Sequence, residues 1–403
     1  SNPDSGTYSN IVNFYAVPFQ SYSRIAPFSS VCKSAIDAIK LCGRFIAGHK
    51  PFDYILIDES QDFPEEFFEL CKLSANKHTI IAGDIFQSIF DENIVKDTAP
   101  DHLLSKCYRT DPRTLMFAHA MGMGLYETPK IRWLNDNEWE ACGYNITKSG
   151  DSYEITRDPI RRFDDLLQEE NDSVKLYNYE NGNIVDLVDK TTSIISSIKE
   201  ESPDVTPADI GVIFIDSNKA FYSFADLLCA KLTETHGWNG NKAYESKASL
   251  PDTVLISNQN NVKGLEFPYI ICVAGVITGR LSSRNSLYMM ITRSFICTHL
   301  LISDANNAGI LKSTNSALAD ILHRRHIHTT SPSAEEILAM QATIKLQNVR
   351  KSLDEKLRQI FDEIKVIAKA RPILSAKIKR VIDDEDGYDK LKEYAEFLYG
   401  QMS

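Results

Sequence analysis

Six short runs of consecutive apolar residues punctuate this chain: Tyr54 to Ile57, Thr79 to Ala82, Gly211 to Ile215, Thr253 to Ser257, Tyr269 to Val273 and His299 to Ser303. None alternates polar with apolar positions. A strand that is apolar on both faces has to be covered on both faces, which is the mark of a mostly parallel sheet layered between helices. Helix-like stretches lie between the runs, at Pro64 to Leu73, Asp111 to Leu125 and Lys219 to Thr235, the last stopped by Gly237. The expected fold class is therefore α/β.

The composition can support such a core. With 43% hydrophobic and 25% charged positions in 403 residues, a disordered or fibrous chain is excluded. At roughly 150 residues per domain the length suggests two or three domains. No apolar run approaches the roughly 20 residues that a membrane span needs, and no secretory signal opens the chain, where Ser1-Asn2 reads as the remnant of an expression tag. The 8 cysteines are scattered singly with no CxxC pair, as expected of reduced thiols in a cytoplasmic protein.

Two regions break the strand and helix rhythm. Glu127 to Asp172 mixes Trp133, Trp139, Gly143 and Gly150 with charges and reads as an irregular insertion or linker. After Ser303 no further strand is expected; apolar residues at Leu346, Val349, Leu353, Leu357, Ile360, Ile364 and Ile367 step by three and four, predicting an amphipathic helix within Ser333 to Ala370 that Pro372 ends. The net charge is -11, yet His323 to Arg380 is locally basic. That tail is either a solvated face packing on neighbours or on a second copy, or a contact for nucleic acid or a protein partner. His323, His326 and His328 lack the cysteine or carboxylate cluster that would make them a zinc site.

Chemistry is concentrated at the strand ends. The apolar run closing at Ile57 passes directly into Asp58-Glu59-Ser60-Gln61-Asp62. In open α/β sheets ligands sit outside the carboxyl ends of the strands. An Asp there can hold Mg2+ against nucleotide phosphates, and a neighbouring Glu can orient or deprotonate an attacking water; N-capping of the following helix is the plainer alternative. The next run ends in Gly83-Asp84-Ile85-Phe86-Gln87, where Gln87 can hydrogen-bond a γ-phosphate or the water. Downstream come Cys107-Tyr108-Arg109-Thr110 before a helix start at Asp111-Pro112, then Asn261-Val262-Lys263-Gly264-Leu265-Glu266-Phe267, then Leu287-Tyr288 through Thr292-Arg293. Any of these arginines taken singly is more often a surface or salt-bridge residue.

Taken in order, these five segments resemble motifs II to VI of the superfamily 1 helicases of the UvrD/Rep type, over Phe52 to Ser303. The resemblance implies two RecA-like parallel-sheet domains, the first incomplete, plus a helical C-terminal segment: residues 1–100, 101–308 with the insertion near 127–172, and 309–403. It implies ATP and Mg2+ as cofactors and single-stranded DNA, or DNA with single-stranded regions, as partner. Carried over, Asp58 holds Mg2+; Glu59 activates water; Gln87 senses the γ-phosphate; Arg109 and Arg293 reach across from the second domain as arginine fingers. Asp84, Gly264 and Glu266 join Asp58 in binding the nucleotide. Tyr8, Tyr15, Phe19, Phe86 and Phe90 are candidate platforms for base stacking.

The departures are informative. GxxxxGK[ST], the loop that cradles phosphates, occurs nowhere in the chain. In the family it lies upstream of the Asp-Glu strand, so the chain is expected either to have lost an N-terminal part carrying it or to be a natural protein without it. As it stands it is expected to be inactive as an ATPase; the alternative function is a non-catalytic helicase-like scaffold that binds DNA or a protein, through the C-terminal helices in the second case. Asn260 replaces the usual His of motif V, and Phe90-Asp91-Glu92-Asn93 replaces the aromatic and arginine residues after motif III. The stretch between the Gly211 and Thr253 runs is too short for the large inserted domain of the longer helicases.

Overall fold

A computed structural model describes residues 5–18, 20–21, 27–60, 63–83, 101–102, 107, 109–158, 172–180, 182–215, 219–246, 250–262, 264–305, 307–340, 353–367, 370–378 and 388–400. The strands are β1 (Phe52–Ile57), β2 (Ala75–Ile81), β3 (Asn145–Ser149), β4 (Ser152–Thr156), β5 (Val174–Tyr179), β6 (Ile210–Phe214), β7 (Asn239–Lys242), β8 (Thr253–Asn258), β9 (Phe267–Ala274), β10 (Ser294–Ser303) and β11 (Ile327–Thr330). The chain divides into two compact units, Ser1–Met340 and Gln341–Ser403.

The larger unit is α/β. Its main sheet has six strands in the order β5-β10-β9-β6-β8-β7, every pair parallel. All five residues of β6 are buried, as is most of β9 and β10, which is why the sequence shows unbroken apolar runs there. The Ile184–Glu201 and Lys219–His236 helices pack Leu187, Ile194, Ile195, Phe224, Leu228 and Leu232 against Val212, Phe214, Val254 and Ile271. Gly211 lets the sheet close at its centre, since a Cβ there would lie 2.7 Å from Ile270 Cδ1 on the neighbouring strand. All six apolar runs are strands; the edge strands β5 and β7 show no such run because edge positions carry polar residues such as Lys175, Asn178 and Asn239.

A second core lies in the same unit, where the Ser5–Tyr15, Phe28–Lys40 and Glu65–Ser74 helices cover one face of the parallel pair β1–β2. Tyr8 and Tyr15 are buried there, so the structure removes them as base-stacking platforms: their rings pack on Phe28 and on Phe14 and Phe45. Phe19, Phe86 and Phe90 lie outside the described residues. The expectation of strands buried on both faces fails at this pair, because Leu56 and Ile80 are 74% and 53% exposed with no described layer above them.

The stretch expected to be irregular holds the Asp136–Ala141 helix and the β3–β4 hairpin; residues 159–171 lie outside the description. Asn135 and Glu138 form a capping box at the helix start, Gly150 turns the hairpin at φ +62°, and Trp139 is fully buried. β11 adds to β4 antiparallel, so a strand does follow Ser303. Pairing with a segment this distant is invisible to local periodicity.

In the smaller unit, Leu357, Ile360, Phe361, Leu374, Ile378, Leu391 and Ala395 join three helices, Leu353–Glu363, Arg371–Ile378 and Tyr388–Gly400. The predicted Ser333 to Ala370 helix is not continuous. Residues 334–340 are helical and 341–352 lie outside the description; the next helix ends at Glu363, where Lys365 takes φ +55°. Pro372 starts a helix rather than ending one, since in the first turn its missing N–H costs nothing.

Candidate functional site

β1 carries the chain to Asp58 and Glu59 at its carboxyl end. Ala82 N–H donates to Ile57 C=O at 2.7 Å and Ser60 N–H to Ala82 C=O at 2.9 Å, so the ends of β1 and β2 stay tied beyond the strands. The turn between them forces Glu59 to φ +51°, a left-handed conformation that costs a non-glycine residue about 1–2 kcal/mol. Its N–H is taken by Asp58 Oδ1 at 2.9 Å. Asp58 is exposed and Glu59 half-buried. Asp84 and Gln87 lie outside the described residues.

The remaining candidates come from the amino ends of β9 and β10. Leu265 N–H donates to Val262 C=O at 3.1 Å, turning the loop after β8, and Gly264 has φ +81°, which suits glycine. Nothing lies within 4 Å of where its Cβ would be, so its requirement is conformational and not spatial. Glu266 follows at the start of β9. Arg293 ends the segment after the Leu281–Ile291 helix and is 2% exposed. Its Nε donates to Met289 C=O at 3.0 Å and its NH1 to Leu265 C=O at 3.5 Å, while its own C=O accepts from Phe267 N–H at 3.0 Å.

Arg109 enters just before the Pro112–Met123 helix. That helix is capped by Asp111, whose side chain accepts from Arg113 N–H at 2.7 Å and pairs with the Arg113 guanidinium at 2.9 Å. Thr110, next to Arg109, donates to Thr292 C=O at 3.4 Å, tying the segment to Arg293. Arg109 NH1 meets Glu266 Oε1 at 2.9 Å across 157 residues of sequence.

Burial lowers the pKa of Arg293, the like charge of Arg109 lowers it further, and Glu59, Tyr288 and Glu266 oppose the shift. An arginine remains protonated nevertheless. Glu59 from one core thus acts electrostatically on an arginine beside the other. Glu59, Arg109, Glu266 and Arg293 form one neighbourhood with two guanidinium groups and two carboxylates, and Asp58 and Gly264 sit on its adjoining loops.

Sequence reasoning passed over an ion pair that holds this site from behind. Arg284, 1% exposed, puts NH1 and NH2 on the two oxygens of Glu127 at 2.7 Å each. It also donates from Nε to Thr278 C=O at 2.7 Å and from NH1 to Met121 C=O at 2.8 Å. The helix leading to Arg293 is thereby locked to the end of the helix that follows Arg109. No local signal marks two charges that far apart as partners. Gly43, Gly48 and Lys50, superficially spaced like a phosphate loop, precede β1 around a single helical turn, and Lys50 Nζ donates to Ala75 C=O at 2.7 Å.

The UvrD-like helicase C-terminal domain family matches residues 253–301. No curated protein matches the chain. Among solved structures, the C-terminal domain of a possible DNA helicase from Lactobacillus plantarum is similar at 17% identity and a TM-score of 0.28, covering 39% of this chain and 93% of that one. The DEAD-box helicase Mss116 bound to single-stranded RNA is similar at 11% identity and a TM-score of 0.27, covering 91% of this chain and 72% of that one. The matched family segment runs from β8 to β10 and contains Gly264, Glu266 and Arg293. Residues 253 to 301, then, are similar to the UvrD-like helicase C-terminal domain family.

Proposed function

We propose that this chain is the greater part of an ATP-dependent DNA helicase or translocase of the UvrD-like kind, which binds a nucleoside triphosphate between its two sheets and moves on single-stranded DNA. The observation that carries this is that Glu59, at the end of β1, and Arg109, paired with Glu266, both act electrostatically on the buried Arg293. Phosphoryl transfer is catalysed mainly by positioning and charge neutralisation, and an arginine aimed at the transferred group can contribute roughly 10³ to 10⁵ in rate.

Each residue has a task in that scheme. Arg293, buried and held by carbonyl oxygens, is pre-organised and gains strongly from an anion. Arg109 is half-exposed and pairs with Glu266, so a terminal phosphate would meet it at the solvent side of that pair. Glu59 accepts a proton from, or orients, the attacking water. Asp58 offers an exposed carboxylate. That suits Mg2+, which takes one or two carboxylates and fills its other positions with phosphate and water. Held by Asp58, Mg2+ would supply positive charge that offsets the charge of the phosphates.

Anisotropy of a fluorescent ATP analogue tests the site. Arg293→Ala and Arg109→Ala should each weaken binding about tenfold, the worth of a charge-assisted hydrogen bond, and Glu59→Gln should leave it intact. Equal affinity in all three would refute the assignment. GxxxxGK[ST] does not occur within these 403 residues, and a protein without it upstream as well would have a second function, a non-catalytic scaffold that binds DNA or a protein. In that case single-stranded DNA affinity, steeply salt-dependent as any backbone-dominated contact must be, would not respond to nucleotide.

A further inference from the structure

Glu266 pairs with Arg109 and acts on Arg293, the two arginines of the site. Its Oε1 lies 2.9 Å from Arg109 NH1, and the backbone on either side of it is stitched to Arg293, through Leu265 C=O at 3.5 Å and Phe267 N–H at 3.0 Å. Arg109 Nε is buried and has no hydrogen-bond partner among the described residues. The carboxylate therefore satisfies one donor of a fork that a phosphate, with more oxygens, would satisfy better. Independently, Glu266 is among the charges acting on Arg293, so one carboxylate faces both arginines.

From this geometry we propose that Glu266 is the site's built-in counterion, which occupies Arg109 when no ligand is bound and which any phosphate anion must displace. The proposal rests on the nucleotide function given above and adds a sign to it. A glutamate that only contacts the ligand would weaken binding when removed, whereas an internal competitor strengthens binding when removed. The side chains of Arg109 and Glu266 are 41% and 39% exposed, so solvent screens the pair and limits what it contributes. Losing the competitor should tighten anion binding about fivefold, equivalent to about 1 kcal/mol.

Isothermal titration calorimetry of the full chain with inorganic triphosphate, and separately with pyrophosphate, tests this without nucleoside or DNA. Glu266→Gln should bind both probes about fivefold more tightly than the parent, and the gain should vanish when Arg109→Gln is added. Unchanged or weaker binding in Glu266→Gln, or no binding in either protein, would overturn the counterion role. So would a gain that survives in the double variant, which would reflect only a general loss of negative charge. Triphosphate affinity undiminished in Arg109→Gln alone would instead remove the nucleotide site itself.

Discussion

Glu127→Gln isolates the ion pair behind the site. Arg284 is 1% exposed and Glu127 18% exposed, and both guanidinium–carboxylate contacts measure 2.7 Å. Removing one partner of a buried pair leaves an uncompensated charge and costs about 3–5 kcal/mol. The partial exposure of Glu127 and the two carbonyl acceptors that Arg284 keeps argue for the lower end, about 3 kcal/mol. At roughly 2–4 °C per kcal/mol for a large domain, that lowers the melting temperature by about 6–12 °C. Tryptophan fluorescence is the right probe, because all 3 tryptophans, Trp133, Trp139 and Trp238, lie in the larger unit. The double variant Arg284→Met with Glu127→Leu should recover most of the loss, since an apolar pair leaves no charge stranded. A shift below about 1 kcal/mol in urea or heat would refute the claim that this pair locks the two helices.

Glu59→Gly should raise stability by about 0.5–1 kcal/mol, because glycine adopts φ +51° without strain, while abolishing hydrolysis in any form of the protein that turns over; urea melts and a phosphate-release assay check the two halves. Gly211→Ala should destabilise by about 1–3 kcal/mol through the Ile270 clash, and adding Ile270→Val should restore part of it in the same melts. His299, buried on β10, has its pKa lowered to about 3 by burial first and Lys175 second, and His119 is lowered well below its usual value for the same first reason. Their unfolded values lie near 6.5, so between that pH and about 3, the value of His299 in the fold, the unfolded chain binds protons that the native one refuses, and stability falls as pH drops. His299→Asn should flatten this slope in melts taken across the window; an unchanged slope would rule His299 out as its source.

The site was partly readable before any coordinates. An apolar strand running straight into Asp58-Glu59 is a local signal, and so is Gly264 two residues before Glu266, because each depends on neighbours in sequence. Arg109 with Glu266, Arg284 with Glu127, and Glu59 with Arg293 are not local at all. Charge pairs at such separations leave no period and no composition bias, so only folding reveals them. The same holds for the β3–β4–β11 sheet, whose third strand arrives 171 residues after β4 ends.

By itself, the amino-acid order determined that the protein is built on parallel strands, and the four apolar runs of the main sheet are buried as such runs require, whereas β1 and β2 are not. It also determined where strands stop and polar chemistry begins. Which arginine faces which carboxylate, that Tyr8 and Tyr15 are core and not stacking platforms, and that Pro372 opens a helix were decided only by tertiary structure. The physical reason is one of range: backbone conformation and hydrophobic period act over a few residues, whereas the desolvation and pairing of charges depend on whatever the finished fold brings within a few ångströms.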